Sequence, residues 1–404
     1  GVERVAHLAE GDTSVDLAIL SETLEGISMA SVGKNAPKAD LLSRVNTQWG
    51  ELGESGNFLD SPYVLFLSWF ERGRVPNGFT KDVKRSDLAK VRSEHGVQAT
   101  KRLGSTAVFG AESSGSGGWT TYWDHHLPTT FTQYHTTKDV IWSKEVAEYE
   151  VDDEGWPDDQ QVLSGPSRRY RPGKTYRERW NVGVFGPAFP ESPWPWAGRA
   201  GDALSIGLPL WSDGAGNAGL SRVDEASTRL FRGEEKIAES EHDGSFEGPV
   251  EVPAGPATYR LETSATRSTV ADYSTRLTAR WTFRSAHAGS EEKPAPLPLW
   301  AARFRPRLDD RTLNHEGPIH LVPVDFQAQQ GAKVGQLTKV SVEVSADDGK
   351  TWTEGTLLPT GIGTYALLVQ VPQGTDDVSL RAAATDNLGN TVEQTLIRAY
   401  GLAP

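Results

Sequence analysis

The chain has 404 residues, which predicts two to four domains because a single hydrophobic core rarely grows beyond about 250 residues. Its 37% hydrophobic content and 13 Trp supply material for several cores and exclude wholesale disorder. The formal net charge of −13 opposes nucleic-acid binding, which needs clustered Lys and Arg, and the absence of cysteine excludes disulfides and thiolate chemistry.

The N-terminal segment, residues 1–165, is predicted to form a β-rich domain with a short helix near 86–95. Stretches 16–21 and 62–70 have the apolar character of buried strands. A helix is expected at 86–95 because an N-cap residue and good helix formers are followed by Gly96.

Two further β-sandwiches are predicted, a jelly-roll-like one at 166–290 and an immunoglobulin-like one at 291–404. Apolar and polar residues alternate over 277–284 and over 340–345, which is typical of half-buried strands. The many Gly and Pro residues favour short strands joined by tight turns. The expected class is therefore all-β, with two or three sandwiches of jelly-roll and immunoglobulin or fibronectin type and one or two short helices. Candidate linkers are 113–118, 152–160 and 288–298.

Two motifs suggest a catalytic site and fail on spacing. Ser28 lies in Gly-Ile-Ser-Met-Ala, close to the nucleophile motif of subtilisin-like peptidases, but too few residues precede it for the base and the carboxylate that this family places upstream. His315 and His320 are five residues apart, whereas the zinc-peptidase motif needs four, and Pro318 opposes a helix. We therefore predict no catalytic residue in this chain.

Three polar clusters raise the question of metal binding. His125 and His126, with His135 nearby, are either a metal site or solvated and hydrogen-bonded histidines. Two loops place oxygen donors beside glycines, which suits either calcium or plain turns. The candidate calcium ligands are Asp213 and Asn217 in one loop, and Asp386 and Asn390 in the other. We expect no cofactor, with calcium as the alternative.

Residues 345–352 match the Asp-box pattern Ser-x-Asp-x-Gly-x-Thr-Trp. Asp347 is expected to accept hydrogen bonds from turn amides, Gly349 to need a positive φ, and Trp352 to pack beneath the turn. The pattern occurs once, whereas a propeller would repeat it, so it predicts a stabilised hairpin.

Aromatic clusters are the candidate binding surface. Trp119 and Trp123 form one cluster, and Trp194 and Trp196 another. Such rings either stack on sugars or pack between domains.

Several stretches together resemble the C-terminal regions of large secreted bacterial subtilisin-like serine peptidases. The resemblance covers nearly the whole chain and is carried by 3–11 (ERVAHLAEG), 18–31 (AILSETLEGISMAS), 45–49 (VNTQW), 61–74 (SPYVLFLSWFERGR), 176–190 (YRERWNVGVFGPAFP), 259–267 (YRLETSATR), 281–285 and 392–400 (VEQTLIRAY).

The resemblance implies a secreted protein whose partner is the peptidase domain of the same precursor, joined to it or cut from it. It carries over no catalytic position, because the family's catalytic motifs are not found in this sequence. The leading hypothesis is a non-catalytic accessory segment; the alternatives are an extracellular glycan- or protein-binding module and a free-standing glycosidase. No apolar run is long enough to span a bilayer, so no membrane insertion is expected, and any signal peptide would lie upstream.

Overall fold

A computed structural model describes residues 16–23, 26–32, 42–72, 80–112 and 119–404. Apart from one 3₁₀ turn, all regular secondary structure in these residues is β-strand, which confirms the predicted all-β class. The first strands are β1 (Asp16–Thr23), β2 (Gly26–Val32), β3 (Leu42–Gly50), β4 (Tyr63–Arg72), β5 (Thr80–Lys84), β6 (Ala89–His95), β7 (Leu103–Glu112), β8 (Trp119–His126), β9 (Thr129–His135), β10 (Val140–Val151), β11 (Pro157–Ser164) and β12 (Thr175–Trp180).

The remaining strands follow in chain order after residue 196. They are β13 (Ala197–Ala200), β14 (Ala203–Ile206), β15 (Ala218–Ser221), β16 (Glu225–Arg232), β17 (Glu235–Ser240), β18 (Val250–Glu251), β19 (Ala257–Thr266), β20 (Arg276–Ser285), β21 (Ala295–Pro296), β22 (Trp300–Phe304), β23 (Leu313–Asn314), β24 (Ile319–Ala328), β25 (Leu337–Ser345), β26 (Thr353–Glu354), β27 (Thr356–Gly361), β28 (Thr364–Gln370), β29 (Asp377–Asp386) and β30 (Thr391–Leu402).

The predicted helix at 86–95 is wrong. Only a 3₁₀ turn at Arg85–Asp87 precedes strand β6, along which buried and exposed side chains alternate. Ala89, Val91 and His95 face inward, and Lys90 and Arg92 face solvent. Burial of one face has overridden helix propensity, which is a weak preference by comparison.

The chain divides into two compact units. Unit 1 takes the described residues up to His95, together with 102–149 and 164–180, and unit 2 takes 96–101, 150–163 and 181–404. The predicted ranges 166–290 and 291–404 both contribute strands to unit 2, where β20 of the first pairs with β30 of the second. The predicted linker at 113–118 lies outside the described residues.

In unit 1 the sheet β12-β6-β9-β4-β3 packs against β10, β7 and β8. Val64 and Phe66 on β4 point into this core, whereas Leu65 and Leu67 pack on the opposite face with Val83 of β5. Cover on both faces explains the continuous apolar run in β4, which the sequence identified correctly as a buried strand.

Unit 2 is built on a nine-stranded sheet in which eight strands are antiparallel in the order β17-β16-β19-β20-β30-β29-β25-β26, and the short strand β23 pairs parallel with β30. Its inner face shares one hydrophobic core with the sheets β22-β24-β28-β27 and β18-β14-β13-β21. Trp281 on β20 is fully buried, and its Nε1 donates to the carbonyl of Trp300 on β22 at 2.6 Å. The alternation predicted at 277–284 is confirmed, since the apolar residues are the buried ones.

Candidate functional site

The outer face of the nine-stranded sheet carries a groove of about 440 Å³, entirely within unit 2. We call it the trough. It runs across the strands, because the residues that form it are cross-strand neighbours in register.

The floor of the trough is a row of short hydroxyl side chains. Ser227 on β16 pairs with Ser264 on β19, which pairs with Thr278 on β20, which pairs with Thr395 on β30. The row continues to Arg381 on β29. Alternating burial along each strand places these side chains on the face turned away from the core.

A row of long charged side chains forms one wall of the trough. It lies two residues along each strand from the floor, on the same face, and charge alternates along it. In order across the sheet, the row is Arg229, Glu262, Arg280 and Glu393, and Glu239 on β17 continues it beyond the trough.

These wall charges are paired with one another across the strands. Arg229 lies 3.3 Å from Glu239, and Arg280 lies 3.1 Å from Glu262 and 3.9 Å from Glu393. Arg280 is about half exposed, as is Glu393. Exposed pairs of this kind are worth only about 0–1 kcal/mol each, so they can exchange partners with a ligand at small cost.

The far end of the trough is more firmly held. Arg381 donates two hydrogen bonds of 2.7 Å to the carboxylate of Glu343 on β25, which is its cross-strand neighbour. These bonds raise the pKa of Arg381 above its ordinary value. The bidentate geometry fixes both side chains more firmly than a single ion pair does.

The Asp-box hairpin adjoins this end and has the predicted construction. Asp347 accepts hydrogen bonds from the Thr351 amide and hydroxyl at 2.9 and 2.7 Å, and from the Ser345 hydroxyl at 2.7 Å. Gly349 has a φ of 76°, as expected. These hydrogen bonds close the turn, and the ring of Trp352 at its end lies against Arg381.

The predicted tryptophans whose side chains are described have different surroundings. Trp123 is a core residue of unit 1, 9% exposed, with its ring 5.7 Å from that of Phe58. Trp196 packs on the core of unit 2 and donates from Nε1 to the Pro190 carbonyl at 2.9 Å. Trp194 is 55% exposed. The side chain of Trp119, at the start of β8, lies outside the described residues.

The two predicted calcium loops share one closed geometry. Asp213 accepts from the backbone amide and side-chain amide of Asn217 at 2.9 and 2.8 Å. Asp386 does the same with Asn390, at 2.9 and 2.8 Å. In both loops the carboxylate therefore closes a turn, and calcium binding stays a prediction.

Asp213 is almost fully buried, and burial raises the pKa of its carboxyl group despite hydrogen bonds from Asn217 and Asn181. Burial acts to raise the pKa of Asp386. Hydrogen bonds from Asn390, Gly335 and Trp300 together outweigh burial, so the pKa lies below its ordinary value. Across the described part of the chain, no group of three or more His, Asp or Glu side chains is arranged to hold a metal ion.

The histidines are held by separate partners. His125 is buried in unit 1, with Nδ1 3.1 Å from the His126 carbonyl and Nε2 3.0 Å from the Thr106 hydroxyl. His135 lies at the other end of the same interior, where Nε2 is 3.1 Å from Gln133 Oε1. Of the two alternatives, a metal site or hydrogen-bonded histidines, His125 and His135 follow the second in the structure.

His315 and His320, the residues of the rejected zinc motif, point to different partners in unit 2. His315 Nε2 lies 2.8 Å from the Asp309 carboxylate, whereas His320 is hydrogen-bonded to Tyr400 at 2.7 Å. Ser28 lies on β2, and its side chain is outside the described residues.

The sequence did not identify the trough. Its floor residues lie between positions 227 and 395 and become neighbours only through strand pairing. The available signal was alternation along single strands such as β20, where Thr278 and Arg280 occupy the polar positions.

Comparison with known proteins gives no family assignment: no family profile and no curated protein matches the chain. Among the described residues, no helix is long and apolar enough to cross a membrane.

Proposed function

We propose that this chain is a non-catalytic accessory segment of a secreted subtilisin-like serine endopeptidase, and that its trough contacts a substrate or partner outside the cell. The observation that carries the proposal is the trough itself, a row of partly or fully exposed hydroxyl side chains beside a row of alternating charges. The underlying sheet shares a continuous core with two further sheets. A rigid support of this kind keeps side chains positioned for binding.

The connection to a peptidase is supported by the sequence resemblance. The trough offers no nucleophile paired with a base, since its hydroxyl residues neighbour one another and its glutamates pair with arginines. Those groups can donate and accept hydrogen bonds, which suits binding.

The test is fluorophosphonate labelling of the protein purified from its native source, followed by mass spectrometry. We expect the label on a polypeptide that is joined to this chain or co-purifies with it, and none on peptides of this chain. A Ser28→Ala variant should leave labelling unchanged. Label on Ser28, or purification without any labelled serine hydrolase, would contradict the proposal.

A further inference from the structure

We propose that the trough binds an extended polypeptide segment of about seven residues; this inference rests on the proposed function and specifies its ligand. The first argument is length. The floor row from Ser227 to Glu343 crosses six neighbouring strands. At about 4.8 Å between strands, the row is about 24 Å long. An extended chain covers that distance with about seven residues.

The second argument is the hydrogen-bonding chemistry of the floor. Each Ser or Thr hydroxyl donates one hydrogen bond and accepts others, so the row formed by Ser227, Ser264, Thr278 and Thr395 can pair with either kind of backbone group. A polypeptide presents one N–H and one C=O at every residue. The floor therefore fits a backbone of any sequence.

The third argument is the charge pattern of the wall. Positive Arg229 and Arg280 alternate with negative Glu262 and Glu393, so the wall complements a ligand carrying both signs of charge. Polypeptide side chains carry both signs. A neutral glycan gains little from such a wall, and none of the described residues that line the trough has the aromatic ring on which a pyranose would stack.

The test is fluorescence anisotropy with the purified full chain and a fluorescein-labelled peptide of repeating Lys-Thr-Glu-Ser, about twelve residues long so that it exceeds the trough. Thr278→Arg fills the floor with a long side chain. Ser264→Arg does so on the neighbouring strand and guards against an effect peculiar to one position. The matched control is Thr258→Arg, an exposed position on the same sheet and outside the trough.

We expect saturable binding to the unaltered chain, with Kd raised at least about tenfold by Thr278→Arg and by Ser264→Arg and changed less than about twofold by Thr258→Arg. Equal binding by all variants, or no peptide binding up to about 1 mM, would overturn the inference. So would trough-dependent binding of a labelled N-acetylglucosamine hexamer in place of the peptide. Because the labelling experiment above does not involve the trough, this inference can fail while the accessory role stands.

Discussion

The guanidinium group of Arg381 lies over the indole ring of Trp352, 4.6 Å from the ring centroid. Trp352 ends the Asp-box hairpin, whereas Arg381 ends the hydroxyl row of the trough and pairs with Glu343. The stacking adds to the bidentate ion pair and restricts Arg381 to one orientation. A turn motif with a structural role therefore also positions one end of the candidate binding site.

Replacing Arg381 with Lys tests this arrangement. Lysine keeps the charge but loses the planar fork that pairs with Glu343 and stacks on Trp352. We expect the free energy of unfolding to fall by about 0.5–1 kcal/mol and the indole NMR resonance of Trp352 to shift. Arg280→Lys is the control, because Arg280 is also exposed on this face but is not stacked on a ring; a loss as large there would contradict the argument.

Asp347→Asn tests the hairpin. Hydrogen bonds from Thr351, then from Ser345, lower the pKa of Asp347 from 3.8 to about 2. Because the folded-state pKa is the lower one, the stabilisation is present above pH 3.8 and is lost as pH falls through about 2. We expect the variant to melt at a lower temperature than the unaltered chain at pH 7, with the difference shrinking toward pH 2.

The control for that experiment is Asp376→Asn, which removes the same charge from an exposed aspartate of unit 2. It should leave the pH dependence of the melting temperature almost unchanged. A difference for Asp347→Asn that stays constant down to pH 2 would show that its ionised carboxylate does not stabilise the turn.

What could be predicted from the sequence was the local structure of exposed hairpins and half-buried strands. The Asp box specifies its own hydrogen bonds within eight residues, and the alternation along β20 reports directly which face is buried. The trough required the order of six strands, which no local pattern contains. A threonine such as Thr278 gives no individual signal, because exposed threonine is common in strands.

The errors have physical causes as well. The segment at 86–95 contains good helix formers, but the alternation of Ala89, Val91 and His95 along it is typical of a strand, and the structure follows that alternation. The burial of Trp123 could not be predicted, because a tryptophan suits either a surface or a core and only packing distinguishes the two. The polar interior of unit 1, with Gln133 and Lys144 buried, contradicts the usual pattern and could not be predicted.

Removing Lys144 tests how that polar interior is stabilised. Lys144 Nζ donates to Glu178 at 2.7 Å and to Gln133 at 2.5 Å, and Tyr170 donates to Glu178 at 2.6 Å. Lys144→Met leaves a buried carboxylate without its cation, so we expect urea unfolding to show a loss of about 3–5 kcal/mol. Adding Glu178→Gln removes the negative charge and keeps an acceptor for the Tyr170 hydroxyl. The double variant should therefore be more stable than Lys144→Met alone. A double variant less stable than Lys144→Met would contradict this account.

Acidification should weaken unit 1 through His125. Burial lowers the pKa of His125 from 6.5 to about 4, and the groups that face it include Thr106, His126 and the ring of His95. Its Nδ1 donates to the His126 carbonyl, so Nε2 accepts from Thr106 and the neutral ring is the form that fits.

Because the folded-state pKa of His125 is depressed, the unfolded chain binds more protons below pH 6.5, and stability that is complete above that pH is lost as pH falls toward 4. At pH 5 the free energy of unfolding should be lower by on the order of 2 kcal/mol because of His125 alone. We expect His125→Gln to reduce the difference between the urea midpoints at pH 7 and pH 5, since glutamine takes up no proton in that range. His126→Gln, at the exposed neighbouring position, should reduce the difference far less. An identical pH dependence in the unaltered chain and in His125→Gln would show that folding does not lower the pKa of His125.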